Sequence, residues 1–207
     1  MAKKVLELFA GSRSIGKAAE ALGYDVYSSD VKSFSGIDYV VDILEFNTAK
    51  VPFIPSIIWA SPPCTTYSIA AVSHHRKEGK ATSEAAKLAD LWLKKLVGII
   101  EHFVKLNPSL VYFIENPRGM MRKELIMRRF PIRHTVTYCQ YGESRMKPTD
   151  IWTNTLEWIP RPACKNGMQC HEAAPRGSKT GTQGLKNNYE RSKIPQELCF
   201  EVLSSIK

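Results

Sequence analysis

The strongest chemical signal in the sequence is a cysteine presented by a rigid turn. Cys64 follows two consecutive prolines, which come after the apolar run 56–60 that predicts a buried strand. In open α/β sheets, ligands bind at the carboxyl ends of the strands, and a backbone fixed by prolines would present the next side chain into such a cleft. A thiolate there could attack an electron-poor carbon. The alternative is a buried cysteine that packs as a small hydrophobe.

A carboxylate follows another apolar run in the same manner. Residues 110–114 predict a buried strand, and Glu115 comes directly after it. We therefore expect Glu115 to lie beside Cys64, across neighbouring strand ends. A carboxyl group in a partly buried cleft tends to have a raised pKa, so it could hold and protonate a ring nitrogen. The alternative makes Glu115 a loop cap or an ion-pair partner of Arg118.

The first predicted strand runs into a turn that could hold a nucleotide. Gly11 allows a tight turn, and the helix predicted from Ser14 offers free backbone N–H groups at its N-terminus. Asp30, at the tip of the second predicted strand, could accept hydrogen bonds from ribose hydroxyls. Asp42 and Ile43, after the third, could meet an adenine edge. For either aspartate alone, a solvated turn residue is the simpler interpretation.

Short apolar runs alternate with helix-like stretches over the first two thirds of the chain, which predicts a mostly parallel sheet with helices on both faces. The predicted strands are 5–8, 25–28, 39–41, 56–60 and 110–114, with helices at about 14–22 and 84–105. The second helix is predicted from the spacing of Leu88, Trp92, Leu96, Ile99, Ile100 and Phe103. A final antiparallel pair is predicted at 134–138 and 150–153, and a terminal helix, 196–206, should pack back on the sheet.

The charge balance favours a polyanionic partner. The 207 residues include 29 Lys and Arg against 20 Asp and Glu, a formal net charge of +9. Nucleic acid is the usual partner of such a protein, and solubility alone is the alternative. No apolar run approaches the roughly 20 residues that a membrane span needs, and the apolar start is too short for a signal-peptide core. We expect a cytoplasmic monomer with no membrane association.

The segment 155–191 differs from the rest because it is rich in Gly, Pro, Lys, Arg and Asn and has no clear period. We expect a core at 1–154, this basic insert at 155–191, and a terminal helix within 192–207. The insert holds Cys164, Cys170 and His171, with Cys139 on a nearby strand-like segment. Such soft ligands could hold zinc tetrahedrally, although the spacing is not a CxxC pair. Free thiols are the alternative, and the basic run 176–186 could follow a phosphate backbone.

Taken together and in this order, these segments resemble the C5-cytosine DNA methyltransferase family over nearly the whole chain except about 155–190. The matching motifs are Leu8-Phe9-Ala10-Gly11 for the cofactor, Pro62-Pro63-Cys64 for the nucleophile, Glu115-Asn116 for the cytosine, Gln140-Tyr141-Gly142 for the opening of a later motif, and Ile194-Pro195 for the closing one.

The resemblance implies a Rossmann-like fold that depends on S-adenosylmethionine, and methyl transfer to carbon 5 of cytosine in DNA. Cys64 would attack carbon 6 while Glu115 stabilises protonated N3. The base would have to be flipped out of a duplex or presented in a single strand. The implied cofactor-binding residues are Phe9, Ala10, Gly11, Ser12, Asp30, Asp42, Ile43 and Pro62, and the implied substrate-binding residues are Ser61, Pro63, Asn116, Arg145 and Lys147.

The sequence also departs from the family pattern. Arg13-Ser14 replaces a glycine pair in the first motif, and the later motif lacks its usual arginines, so that Arg145 or Lys147 would supply the positive group near the base. About 36 residues stand where the family inserts a target-recognition domain. We therefore expect low or very short sequence specificity, with binding driven by phosphate contacts and sensitive to salt.

Other functions remain open at this stage. The same cysteine chemistry with methylene-tetrahydrofolate as donor would give hydroxymethylcytosine. A non-catalytic DNA-binding relative is a second alternative and RNA methylation a third, whereas Cys64 disfavours a nitrogen-directed methyltransferase. The segment 67–81 is expected to be a mobile loop that closes over DNA with its basic side chains, which are His74, His75, Arg76, Lys77 and Lys80.

Overall fold

The strands of the molecule assemble into one large sheet and one small hairpin. The structure is a computed structural model that describes residues 2–165, 167–173 and 187–207. The strands are β1 Lys4–Leu8, β2 Asp25–Asp30, β3 Tyr39–Val40, β4 Ile57–Ala60, β5 Arg76–Lys77, β6 Lys80–Ala81, β7 Val111–Pro117, β8 Ile132–Thr137 and β9 Pro148–Thr153. The helices are α1 Ser14–Ala21, α2 Val72–His75, α3 Glu84–Leu106, α4 Asn188–Ser192 and α5 Gln196–Ser205.

The large sheet has seven strands in the order β3-β2-β1-β4-β7-β9-β8, and β5 pairs separately with β6. The pairs from β3 to β7 are all parallel. Strand β9 runs antiparallel between β7 and β8. The mostly parallel sheet and the antiparallel pair near its end were both predicted, and both predictions are confirmed.

Successive side chains along the central strands point to opposite faces of the sheet and pack in two apolar layers. Leu6 and Leu8 of β1 face the layer that contains α3, whereas Val5 faces the layer that contains α1 and α5. Each fully buried leucine or valine contributes about 1.5–3 kcal/mol to the free energy of unfolding. The sheet is therefore held from both sides, and its strand ends are free to carry the site.

Helix α3 begins at a side-chain cap, since the Ser83 hydroxyl accepts from the backbone N–H of Ala86 at 3.2 Å. Its buried face includes Ala89, Leu93, Leu96 and Phe103. Leu88 was predicted to lie on this face, but it is 37% exposed. The prediction was wrong there because the buried face follows the i, i+4 and i+7 positions that start from Ala89.

Strand β7 is longer than predicted. Its parallel pairing with β4 ends where Ile114 lies opposite Ala60. Pairing with the antiparallel β9 continues through Glu115, Asn116 and Pro117. Glu115 is therefore an in-strand residue that projects beyond the end of β4, not the first residue of a loop.

Between β9 and the C-terminal helices, residues 155–165 and 167–173 contain no helix or strand. The insert predicted at 155–191 is not irregular throughout, because its end forms part of the short helix α4. The basic run 176–186 lies outside the described residues. The terminal helix α5 packs on α1 and the sheet through fully buried Leu198, Cys199, Val202 and Leu203. None of the helices in the described ranges has the length and hydropathy needed to span a membrane.

A buried ion pair fixes the antiparallel end of the sheet. Asp150 of β9 has no exposed surface, and it accepts from Arg122 Nε at 2.8 Å and from the Thr135 hydroxyl at 2.7 Å. This arrangement ties the turn after β7 to both β8 and β9.

Replacing Arg122→Leu should lower the free energy of unfolding by about 3 kcal/mol, because the Asp150 carboxylate would stay buried without its cation. Urea denaturation followed by circular dichroism measures the change. The matched control is Arg128→Leu, at an exposed arginine, which should change stability by less than about 0.5 kcal/mol. Equal stabilities for the two variants would contradict a structural role for the buried pair.

Candidate active site

Cys64 lies at the end of β4 on a turn that β7 holds in place. The Asn116 side chain is fully buried and donates from Nδ2 to the carbonyl of Pro62 at 2.8 Å. Gly119 approaches the carbonyl of Tyr67 so closely that a Cβ atom at that position would clash. These two contacts clamp the segment 61–67 from both ends and hold the half-buried Cys64 between them. Asn116 was predicted to bind substrate. In the structure its amide nitrogen instead holds the turn that carries Cys64.

Glu115 is 5% exposed and is oriented by a tyrosine that the sequence did not single out. The Tyr138 hydroxyl, immediately after β8, donates to Oε1 of Glu115 at 2.9 Å. This contact leaves the second carboxylate oxygen, Oε2, unused by Tyr138. Tyr138 is fully buried. Its position beside the site follows from the pairing of β8 with β9, which the sequence alone does not show.

Cys64, Glu115 and Lys147 lie close enough for their charges to interact. Burial raises the pKa of the Cys64 thiol, the Glu115 charge raises it further, and the Lys147 ammonium opposes both. Burial lowers the pKa of Lys147, against the opposing effects of Glu115 and Cys64. The Lys147 ammonium also lies 4.4 Å from the Tyr138 ring centre and donates to the carbonyl of Arg191 at 3.1 Å.

Arg145 occupies a different environment from Lys147. Its guanidinium makes two parallel bonds to Glu143, from Nε at 2.8 Å and from Nη2 at 2.6 Å. Its Nη1 atom is buried and has no hydrogen-bond partner among the described residues. The sequence left open which of the two cations would serve the site, and the structure brings Lys147 to Cys64 and Glu115.

The turn after β1 is held by the second strand. The N–H of Ala10 donates to the carbonyl of Ser29, and that of Gly11 to Oδ2 of Asp30, each at 3.0 Å. Gly11 has φ of +49°, a conformation that favours glycine. Asp30 lies at the tip of β2 as predicted, and its other oxygen accepts from the N–H of Lys32. Ser12 is buried, with its hydroxyl 2.8 Å from that of Ser14.

The other predicted cofactor residues lie around this turn with different roles. Asp42 caps a short helical turn by accepting from the N–H of Leu44 at 2.9 Å. The Ile43 side chain packs in the core, so a ligand could meet its backbone but not its buried side chain. Phe9 is partly buried and has φ of +55°. Of the residues before Cys64, Pro62 is buried, Ser61 is half-buried and Pro63 is exposed.

The Arg13 side chain is directed toward β2 and α1. Arg13 keeps a left-handed backbone, with φ of +55°, and its buried side chain donates to the Ser28 hydroxyl and pairs with Glu20. Below it, Glu7 accepts from the Ser28 hydroxyl and from the N–H of Ile15. Burial raises the pKa of Glu7 to about 7. The sequence does show an acidic residue, Glu7, inside an apolar strand. This pattern could have indicated that Glu7 supports the turn, but no such prediction was made.

Arg76 anchors the segment that was expected to close over DNA. Its side chain is buried and pairs with Asp90 at 2.5 Å and with Glu124 at 2.9 Å, and its guanidinium lies 4.3 Å from the Tyr67 ring centre. The expectation that Arg76 faces DNA was wrong, because two carboxylates and a ring hold it inside. His74, Lys77 and Lys80 are exposed, whereas His75 is half-buried against Ser83.

The four soft ligands that were grouped from the sequence are also brought together in the structure. The ligand atoms of Cys139, Cys164, Cys170 and His171 all lie within 4.8 Å of one another.

The charges near Cys64 should determine how the reactivity of its thiol depends on pH in the protein without substrate. Since the Glu115 charge raises the pKa of Cys64, Glu115→Gln should shift the pH dependence of Cys64 alkylation by iodoacetamide to lower pH. Lys147→Gln should shift it to higher pH, because a stabilising cation is lost. Peptide mass spectrometry over a pH series follows Cys64 separately from the other thiols. Unshifted profiles in both variants would contradict these electrostatic interactions.

Comparison with known proteins agrees with these observations. No protein-family model matches the chain. It is 28% identical over 217 residues to a protein of Frog virus 3 (isolate Goorha) described as "Probable DNA (cytosine-5)-methyltransferase", covering 97% of this chain and 98% of that one.

Similarity to a solved structure supports the fold. A mutant of Spodoptera frugiperda DNMT2 superposes with a TM-score of 0.52 at 17% identity, over 81% of this chain and 57% of that chain. S. pombe Dnmt2 methyltransferase gives a TM-score of 0.49 at 15% identity, over 85% and 56%. The chain has the Rossmann-like fold seen in S-adenosylmethionine-dependent methyltransferases, and its sequence is similar to that of a probable DNA (cytosine-5)-methyltransferase.

Proposed function

We propose that this protein is a DNA (cytosine-5-)-methyltransferase, in which Cys64 forms a transient covalent bond to a cytosine that is flipped out of a duplex or presented in a single strand. The observation that carries the proposal is the arrangement of Cys64, Glu115 and Lys147 near the strand ends, where their charges interact and Tyr138 contacts both Glu115 and Lys147. A nucleophile, a carboxyl group and a cation are the three groups that activation of a cytosine ring requires.

S-adenosylmethionine fits the residues at the end of β1. A Cβ atom at Gly11 would meet nothing closer than 3.9 Å, so the turn has room for a ligand beside its backbone. Asp30 and Asp42 offer carboxylate oxygens after β2 and β3, and each oxygen can accept a second hydrogen bond. Asp30 is suited to ribose hydroxyls. The cofactor, when bound, would supply an electrophilic methyl group on a sulfonium ion.

The chain's own residues would perform the remaining steps. The Cys64 sulfur forms a bond to carbon 6 of cytosine, while Glu115 donates a proton to N3 or shares one with it, so that the ring electrons move to carbon 5. Carbon 5 could then accept the methyl group that S-adenosylmethionine, when bound, would supply. Water then takes the proton from carbon 5, the C5–C6 double bond re-forms, and the carbon–sulfur bond breaks to release the Cys64 thiolate.

Lys147 and Tyr138 would prepare Cys64 and Glu115 for these steps. The Lys147 charge favours the thiolate of Cys64, because it opposes the burial and the acidic neighbour that raise the thiol pKa. The Tyr138 hydroxyl donates to Oε1 of Glu115, and Oε2 would interact with the base. Both residues thus act on groups that would touch the substrate.

The short segment after β9 supports limited sequence specificity. About 36 residues are too few for an independent recognition domain, and the net charge of +9 favours contacts with phosphates. Exposed Lys77, Lys80 and Arg118 lie on segments that flank the pocket. Binding should therefore weaken steeply with salt and depend little on sequence.

The direct test incubates the protein with S-adenosylmethionine labelled in the methyl group and DNA of mixed sequence, followed by digestion to nucleosides. Labelled 5-methylcytosine should form with the wild type and with Cys199→Ala, a control at a buried cysteine on α5. It should be absent with Cys64→Ala. Lys147→Met should lose about 10²-fold in rate, the usual cost of removing one positioned electrostatic group, and Lys147→Arg should recover part of it.

The donor and the target are distinguished in the same assay. Hydroxymethylcytosine formed only when methylene-tetrahydrofolate is added would replace this reaction with the folate-dependent one. Label in RNA but not in DNA would reassign the substrate. DNA binding with no modified base under any donor would leave a non-catalytic relative and overturn the proposal.

A further inference from the structure

We propose that Cys139, Cys164, Cys170 and His171 bind one zinc ion, which joins the segment after β9 to the wall of the candidate active site. The cluster is separate from the methyl-transfer chemistry, and the proposal does not depend on that reaction. What carries it is the distance between four ligand atoms that come from three separate stretches of chain: the turn after β8, residue 164, and residues 170–171.

The distances between the ligand atoms match a tetrahedral site. With zinc–sulfur bonds of about 2.3 Å and zinc–nitrogen bonds of about 2.0–2.1 Å, tetrahedral ligand atoms lie about 3.5–3.8 Å apart. The Cys170 sulfur lies 3.7 Å from that of Cys139 and 3.8 Å from Nδ1 of His171. The Cys164 sulfur lies 3.2 Å from that of Cys170 and 3.3 Å from Nδ1 of His171. Shifts of a few tenths of an ångström would complete the tetrahedron.

The backbone on both sides of the cluster is held independently of any metal. The N–H of Cys164 donates to the Thr137 hydroxyl at 2.7 Å, and the N–H of Glu172 donates to the carbonyl of Ser144 at 2.9 Å. The Gln140 amide donates to the Cys170 sulfur at 3.2 Å. These contacts place residues 164 and 170–172 against the turn that carries Cys139, so the ligands are positioned in advance.

A zinc ion accounts for this group better than a disulfide or free thiols do. A bond between Cys164 and Cys170 would use two of the four groups and leave buried Cys139 and the His171 nitrogen directed at it. Free thiols at van der Waals distance gain little from one another. Three sulfurs and one imidazole are a ligand set that zinc prefers, and four protein ligands leave no open position, as in structural sites.

The segment after β9 has a physical need for such a link. Over 155–165 and 167–173, the buried side chains are Thr155, Trp158 and Cys164. So small a core cannot order a loop of this length by itself, and metal ligation supplies that order in small units. Cys139 follows Tyr138, whose hydroxyl fixes Glu115. The metal would therefore also stabilise the backbone that orients the carboxyl group of the site.

Metal analysis of the purified, dialysed protein tests the proposal. Elemental mass spectrometry should find about one zinc ion per chain, and Cys164→Ser and Cys170→Ser should each lose it. Cys64→Ala, which removes a cysteine outside the cluster, should retain it. Cobalt substitution should give the charge-transfer and visible bands of a tetrahedral site with three sulfurs and one nitrogen, and His171→Gln should change them.

A second measurement applies if the cysteine variants fail to fold. Removing the metal from the wild type with a chelator should increase protease cleavage within 155–173 while β1 to β7 stay protected, and adding zinc should restore resistance. The proposal is overturned if the wild type holds no zinc after expression with zinc supplied, or if peptide mapping finds a disulfide between Cys164 and Cys170. Zinc retained in Cys170→Ser would also contradict it.

Discussion

The candidate site depends on the register between β4 and β7. Because Ala60 lies opposite Ile114 in parallel pairing, the residues that follow each strand leave the sheet at the same level. After β4, the backbone turns through two prolines to Cys64. Strand β7 instead continues through Glu115, because β9 pairs with it there. The Asn116 side chain closes the gap between them at Pro62. A slip of this register would separate the thiol from the carboxyl group.

The same geometry creates an electrostatic constraint. The charges of Glu115 and Lys147 act on the pKa of the Cys64 thiol in opposite directions, and burial lowers the pKa of Lys147 against the effects of Glu115 and Cys64. Glu115 opposes the thiolate and Lys147 favours it, so the proton balance of the pocket would respond to a bound base that takes up or shares a proton. Tyr138 follows β8, the edge strand of the sheet, and its hydroxyl donates to Glu115. The position of Glu115 therefore depends on this edge of the sheet. The proposed metal would hold the residue after Tyr138, so order after β9 and order in the pocket are physically connected.

The sequence predicted those parts of the fold that local patterns specify. Apolar runs located the strands, helical spacing located α3, and the order of the motifs placed Cys64 and Glu115 together. Features that depend on tertiary contacts were not predicted from the sequence. Arg76 was predicted to contact DNA because its carboxylate partners lie 14 and 48 residues away in the sequence. Strand β7 was predicted to end at Ile114 because its last residues pair only with β9. Tyr138 and the support from Glu7 became visible only through the packed structure.

The most direct measurement is a covalent trap on Cys64. DNA that contains 5-fluorocytosine, incubated with the protein and S-adenosylmethionine, should give a complex that survives denaturation, because fluorine at carbon 5 cannot leave as a cation and the carbon–sulfur bond stays. Its mass should equal that of the protein, the oligonucleotide and one methyl group, and peptide mapping should place the link on Cys64. Cys64→Ser should give no complex. Methylated product without any trapped complex, or a link on another cysteine, would contradict the account.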